Sequence, residues 1–264
     1  MKRIGLIAAI AALVLSACAT PVRVIVAAGT TLVDSDILDG LVALYETDHP
    51  DVDLSVVGES TAQVLELGRR GGADLLITHA PDLEADFVAE GLAASYEPVL
   101  ASRFVLAGPA GTGPGIPSTV VDALREIARR GDLFVSRSDG SGTHRKELEL
   151  WSLAGVDPAG LPWYLETGQG MGLTLQVADQ RQAFVLSELG AFLAAAPFLS
   201  LEIVPLRDDP VLVNPYQIIV VKGSPAESGA AAFAAWLRSA GGRAAIISAN
   251  RDLFGEVVYQ PAGS

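Results

Sequence analysis

Residues 136–143, Ser-Arg-Ser-Asp-Gly-Ser-Gly-Thr, gather the side chains best suited to hold a small anion. The stretch lies between an apolar, strand-like run, Leu133-Phe134-Val135, and a helix-like run from His144 to Trp151. A glycine-relieved turn entering a helix leaves several backbone N–H groups without intrahelical partners, all aimed one way. The positive end of the helix dipole favours negative charge at that point. Arg137 adds a planar fork of donors matched to paired oxygens. Ser136, Ser138, Ser141 and Thr143 add hydroxyls, and Asp139 stands where it can steady the guanidinium. The other local reading is an ordinary N-cap beside a surface arginine.

Two further turns share this chemistry. Gly29-Thr30-Thr31 and Gly58-Glu59-Ser60-Thr61 each follow a strand-like run and precede a helix-like one. In parallel α/β sheets such turns lie at the carboxyl ends of strands, where ligands bind. The segment Gly168-Gln169-Gly170-Met171-Gly172 allows close backbone approach; it lacks the spacing of a dinucleotide fingerprint and reads equally as a tight turn. The candidate ligand set is therefore Thr30, Thr31, Ser60, Thr61, Arg137, Ser141, Gly142 and Thr143, with Gly170 and Met171 offering amides. Asp139, Ser141 and His144 are the residue types of a hydrolase triad, but their crowding into one turn opposes the required alignment, and Gly-x-Ser-x-Gly is absent. His49 and His79 stand beside or near Pro and form no pair at metal spacing. The expectation is a binding protein without catalysis, metal or cofactor.

These turns must be positioned by a scaffold. The chain has 264 residues, 50% of them hydrophobic, enough for a large core. Strand-like and helix-like runs alternate from Val22 onward, which favours α/β layers with mostly parallel sheets covered on both faces. Strand-rich crossings near residues 104 and 217 let the chain leave a first lobe and return, giving lobe I as 22–106 with 214–264 and lobe II as 107–213. Ahead of these, Lys2 and Arg3 precede an apolar run ending in Leu15-Ser16-Ala17-Cys18. That is the layout of an export signal, and the box resembles that of bacterial lipoproteins, in which the cysteine is lipidated. Cys18 is the single cysteine, so stability comes from packing rather than disulfides. A net charge of −13 argues against nucleic acid as a partner. It does not exclude an anion in an interior site, because distant surface charge is screened beyond about 8 Å.

Five runs together carry a family resemblance: Glu66 to Gly71, Thr78-His79-Ala80-Pro81, Ser141 to Trp151, Gly168 to Gly172, and Asn214-Pro215-Tyr216. The chain resembles the extracytoplasmic tungstate-binding proteins of ABC importers over nearly all of its length after the signal. The resemblance implies a two-lobed periplasmic-binding-protein fold of type II closing on an oxyanion, with the first lobe completed by the C-terminal segment. It places the family's first Thr/Ser-rich turn on Ala28-Gly29-Thr30-Thr31, its second turn on Ser60-Thr61-Ala62, and its arginine on Arg137. A later helix-start arginine of the family is replaced around Glu188-Leu189-Gly190. It also implies an extracytoplasmic monomer, held to the membrane only through a lipid on Cys18, that delivers ligand to a permease with its ATPase.

The string from Arg137 to Thr143 is also similar to the anion loop of phosphate-binding proteins, so phosphate is the nearest alternative ligand. A protonated phosphate wants an acceptor carboxylate, whereas tungstate and molybdate are full dianions suited to donors alone. Glu59 and Asp34 fall at no matched ligand position, which favours tungstate or molybdate. A non-transport sensor lipoprotein using the same fold is a further alternative.

Overall fold

The computed structural model describes residues 20–112 and 115–263. The export signal and Cys18 lie outside the described residues. In the first half, β1 (Val22–Gly29) leads into a four-residue helix, α1 (Thr30–Val33), and then α2 (Ile37–Asp48). β2 (Val52–Glu59), α3 (Thr61–Arg69), β3 (Leu75–Thr78) and α4 (Pro81–Ala89) follow. β2, β1 and β3 pair in parallel, as the intervening helices require.

The 17-residue strand β4 (Ala93–Pro109) carries the chain out of this half. The second half contains α5 (Val120–Arg130), β5 (Phe134–Ser136), α6 (Gly142–Ala154), β6 (Tyr164–Glu166) and α7 (Met171–Arg181). It ends with β7 (Phe184–Glu188), α8 (Leu189–Ala195) and β8 (Leu201–Ile203). Here β6, β5 and β7 are parallel. β9 (Val213–Val221) returns to the first half, followed by α9 (Glu227–Arg238), α10 (Ala240–Phe254) and β10 (Gln260–Pro261).

Parallel pairing is therefore confined to three strands in each half. β9 runs antiparallel to β3 and β4, and β4 runs antiparallel to β7 and β8. The crossing strands pass directly between the halves, with no helix needed to reverse direction. The partners of β4 also move the lobe boundary. Residues between Ala93 and Arg103 pair with β9, but Phe104 to Leu106, read from the sequence as part of the first lobe, pair with β7 in the second.

Both sheets are covered on both faces. Along β4, Phe104 and Leu106 enter one apolar cluster while Val105 and Ala107 enter another, the two-residue period of a strand. Leu75 and Ile77 of β3 face α2 and α9, whereas Leu76 packs with Val64, Leu65 and Phe87 on the opposite side. The result is that α1, α3 and α4 all start at the carboxyl ends of β1, β2 and β3. In the second half, α6, α7 and α8 start at the carboxyl ends of β5, β6 and β7. Among the described residues, no helix is long and apolar enough to cross a membrane.

The last residues pair with β4 through β10 and are tied back onto α10 by one side chain. Asn250 is buried, and its Oδ1 accepts from the backbone N–H groups of Val258 and Tyr259 at 2.8 and 2.7 Å. Its Nδ2 donates to the carbonyl of Tyr259 at 3.0 Å. Asn250→Ala orphans these groups, and we expect a stability loss of ~2–4 kcal/mol in urea unfolding. A loss below ~1 kcal/mol would show that water replaces the side chain.

Candidate oxyanion site

The two halves meet at Arg137. It directly follows β5, and its guanidinium is 1% exposed. Nη2 donates across the interface to Thr30 Oγ1 at 3.0 Å, on the first turn of α1. Nη2 and Nε also donate to Asp139 Oδ2, at 2.6 and 3.1 Å. Ser138 bends the loop back with φ of 47°, a left-handed conformation uncommon outside glycine; strain of this kind gathers at functional sites. Burial works to raise the Asp139 pKa, but the charge of Arg137 and the Ser141 hydrogen bonds outweigh it and hold the carboxyl below its usual range. Arg137 and Asp139 thus form a buried ion pair with one guanidinium nitrogen left over. Nη1 is buried and has no hydrogen-bond partner.

The hydroxyls around this loop divide into two groups. Ser138 Oγ donates to Glu166 Oε1 at 2.7 Å, and Ser136 Oγ accepts from Ser138 N. Ser60 caps α3, and its hydroxyl donates to Gln63 Oε1 at 2.7 Å, so its proton is already engaged. Ser141 caps α6 by accepting from His144 N at 3.3 Å. By contrast, Thr61 Oγ1 and Thr143 Oγ1 are buried without partners, each on the first turn of a helix. The backbone register sets Gly29 of β1 beside Glu59 of β2, so the turns bearing Thr30 and Thr61 are neighbours at one sheet end. Burying a donor unpaired costs about 1–3 kcal/mol, and such atoms in a native fold call for a functional account.

The remaining candidates occupy supporting places. Thr31 is buried, and its Oγ1 lies 3.3 Å from the hydroxyl of Tyr216 on β9. Gly142 is the first residue of α6 and Gly170 caps α7. The side chain of Met171 packs in apolar surroundings with Val135 and Leu175, so only its backbone can face a ligand. The Gly170 segment is tied to the arginine loop through Thr167 Oγ1, which donates to the Ser136 carbonyl at 3.1 Å. The triad arrangement of Asp139, Ser141 and His144 does not form. Asp139 Oδ1 and His144 Nδ1 accept from the backbone of Ser141 and Gly140, and Ser141 Oγ serves the His144 N–H.

Two buried residues belong to the site although the sequence reading gave them no role there. His79, just after β3, presses its ring so closely on Gly142 that any side chain there would collide with it. The ring stacks on Tyr216 at 4.7 Å, and Nδ1 bonds to Asn214 Oδ1 at 2.8 Å. Burial lowers the His79 pKa to about 4, with the Arg137 charge adding to it and the Asn214 bond opposing. Its motif neighbours in sequence gave no sign that it fills the gap between two glycine turns. Glu188, at the end of β7, is fully buried and accepts from Tyr216 at 2.9 Å. β7 and β9 thus place a carboxyl that the sequence reading did not single out beside Tyr216, whose hydroxyl also meets Thr31.

A cavity of about 650 Å3 opens beside His79, lined also by Phe104, Gly142, Arg145 and Asn214. The donors themselves are enclosed, with Thr31, Thr61, Arg137, Ser141 and Thr143 each no more than 3% exposed. The lobes are closed upon one another.

Comparison with known proteins agrees with this geometry. Residues 16–240 match the model of the PBP superfamily domain. The tungstate-binding protein TupA of Peptoclostridium acidaminophilum is 34% identical over 246 residues, covering 90% of this chain and 85% of that one. This chain belongs to the PBP superfamily, in the family of that binding protein. The solved tungstate ABC transporter protein from Geobacter sulfurreducens superposes with a TM-score of 0.76 at 34% identity, covering 84% of this chain and 97% of its own. The tungstate-binding protein TupA from Desulfovibrio alaskensis G20 gives 0.76 at 29% identity, covering 92% and 100%. As a PBP-superfamily member the chain has the two-lobed type II fold.

His79 makes the stability of this PBP fold sensitive to acid. Its folded pKa of about 4 lies below the ordinary 6.5, so the unfolded chain takes up the proton first as pH falls. The stability tied to neutral His79 is complete above pH 6.5 and is lost toward pH 4. Relative to His79→Gln, the natural protein should lose about 3 kcal/mol of unfolding free energy across that window. Parallel pH curves for the two proteins would contradict a neutral, buried ring.

Proposed function

We propose that the chain captures a tetrahedral dianion, tungstate or molybdate, outside the cytoplasm and delivers it to an ABC permease with its ATPase. One observation carries the reading: Arg137 Nη1, Thr61 Oγ1 and Thr143 Oγ1 are buried donors without partners at the contact of two lobes. A tetrahedral dianion supplies acceptors in several directions at once, and helix starts add backbone N–H groups. The names of the relatives point to the same ligand class. Arg137 serves as the charged clamp, Thr30, Thr31, Thr61 and Thr143 as hydroxyl donors, and Gly142 as an amide at the start of α6. Ser141 and Ser60 hold their helix starts in place. Gly170 and Met171 add amides from the second lobe. Only the closed state lets donors from both lobes reach one ligand, so binding selects closure.

Each charge-assisted hydrogen bond is worth ~1.5–3 kcal/mol, so several can offset dianion desolvation and leave nanomolar affinity near about −12 kcal/mol. Glu188 and Asp34, the latter close enough to feel the Arg137 charge, are the carboxyls favouring a protonated ligand such as phosphate. Burial raises the Glu188 pKa to about 7 against the surrounding hydroxyls, which favours the neutral carboxyl below neutrality and weakens it as an acceptor. The selection therefore stays with the full dianions. A lipid on Cys18 would keep the protein near its permease, a role resting on the sequence box alone. A transport role over a sensory one is supported by the relatives named as transporter components.

Competition calorimetry with tungstate, molybdate, sulfate and phosphate tests the assignment. Tungstate or molybdate should win, and a preference for phosphate would overturn it. Arg137→Ala removes two charge-assisted donors and leaves Asp139 negative beside the cleft. Affinity should fall at least ~100-fold, since each tenfold is about 1.4 kcal/mol. Unchanged affinity in a folded variant would remove Arg137 from the site.

A further inference from the structure

Behind Thr31 lies a chain of buried hydroxyls that ends on a carboxyl. Thr31 Oγ1 is 3.3 Å from Tyr216 Oη, and Tyr216 Oη is 2.9 Å from Glu188 Oε2. Four elements enclose the carboxyl. β4 brings Ser102, β9 brings Tyr216, the segment before β10 brings Tyr259, and α1 brings Thr31. All four groups are hydroxyls. No Lys or Arg among the described residues forms an ion pair with Glu188, and His79, stacked on Tyr216, is neutral above about pH 4. Among the described residues, the charged groups near this end of α1 include Asp34, Asp36 and Arg137, the last already paired with Asp139. Glu188 Oε1, Ser102 Oγ and Tyr259 Oη each lack a hydrogen-bond partner. A charged carboxylate in such a place has hydroxyls but no cation to compensate it, whereas a neutral carboxyl avoids that cost.

A phenol has one proton to give and can accept in return. If Glu188 is charged, Tyr216 must give its proton to Oε2. Thr31 then gives its own proton to Tyr216 and turns lone pairs toward any other neighbour. If Glu188 is protonated, the order reverses. The carboxyl O–H goes to Tyr216, the Tyr216 O–H goes to Thr31 Oγ1, and the Thr31 proton is free. A dianion next to Thr31 repels the first arrangement and is stabilised by the second.

We infer that Glu188 is a positioning residue that acts through Tyr216 to decide whether Thr31 donates to the captured oxyanion. The inference rests on the oxyanion reading and deepens it, adding a coupling between ligand capture and a proton. Glu188 has a pKa of about 7 in the closed fold. Binding of a dianion raises it further, so one proton is taken up with the ligand when the pH lies above the free-state value. Affinity then falls about tenfold per pH unit across that range. The sign is set by linkage: the bound state holds more protons, so acid favours it.

The test uses tungstate or molybdate, which stay dianionic from pH 6 to 8, so the ligand does not titrate. Calorimetry in buffers of different ionisation enthalpy should show net proton uptake, and the dissociation constant should rise with pH. Glu188→Gln presents a permanent donor to Tyr216. It should bind at every pH as tightly as the natural protein does at pH 6, without proton uptake. Glu147 is the one other buried carboxyl raised to about 7, on α6 and bonded to Tyr164 at 2.5 Å. Glu147→Gln is therefore the control and should keep the pH slope. Thr31→Val removes the last donor and should bind more weakly with the slope gone. A slope that survives in Glu188→Gln, or binding with no proton uptake in the natural protein, overturns the inference. Absence of any oxyanion binding would instead overturn the function on which it rests.

Discussion

The structure depends on a positive charge held out of water at the junction of two lobes. Arg137 is buried and joined to Asp139 within its own loop and to Thr30 of the opposite half. Removing an ion pair from water is expensive unless its geometry is good and its remaining donors are met. Two of the three guanidinium nitrogens are met inside the protein, and the third is not. The fold thus holds the cation in place while leaving it incompletely compensated. The proposed anion would answer that residual demand, and the strongly acidic exterior would not oppose it because the donors are enclosed.

The layers exist to bring helix starts together at this point. Parallel pairing in β2-β1-β3 and in β6-β5-β7 sends one carboxyl end from each sheet toward the junction. β4 runs between the halves as one continuous strand, pairing with β9 in the first and with β7 and β8 in the second, so the connection there is extended backbone. His79 and the Gly142 turn fill the space between the helix starts. The ring occupies what would be a side-chain position, so contact between the lobes depends on a residue with no Cβ.

Much of this was legible in the sequence, and the parts that were not have a common cause. The strand-turn-helix alternation, the arginine loop and the small residues at the helix starts are local patterns, and each appears in the fold at its expected position. Asp139 steadies Arg137 because the two are only two residues apart. Ser60 looked like a ligand donor because a hydroxyl at a helix start serves equally as a cap; only the bond to Gln63 separates the roles. The antiparallel crossing strands and the turn of Phe104 into the second sheet depend on pairing partners about 80 to 145 residues away in the chain. Glu188, Tyr216, Tyr259 and Thr31 come from four separate elements, so no spacing in the sequence could announce their contact. The replacement of a family arginine around Glu188-Leu189-Gly190 was visible, but not the buried carboxyl that stands there.

The account makes one claim about space: donors from both lobes meet on a single tetrahedral dianion. A crystal structure grown with tungstate, phased on the anomalous signal of the metal, tests this most directly. The account predicts one strong peak between the lobes, with tungstate oxygens within hydrogen-bond distance of Arg137 Nη1, the Thr61 and Thr143 hydroxyls and the amide of Gly142. A peak elsewhere on the molecule, or none in the cleft at saturating tungstate, would contradict it.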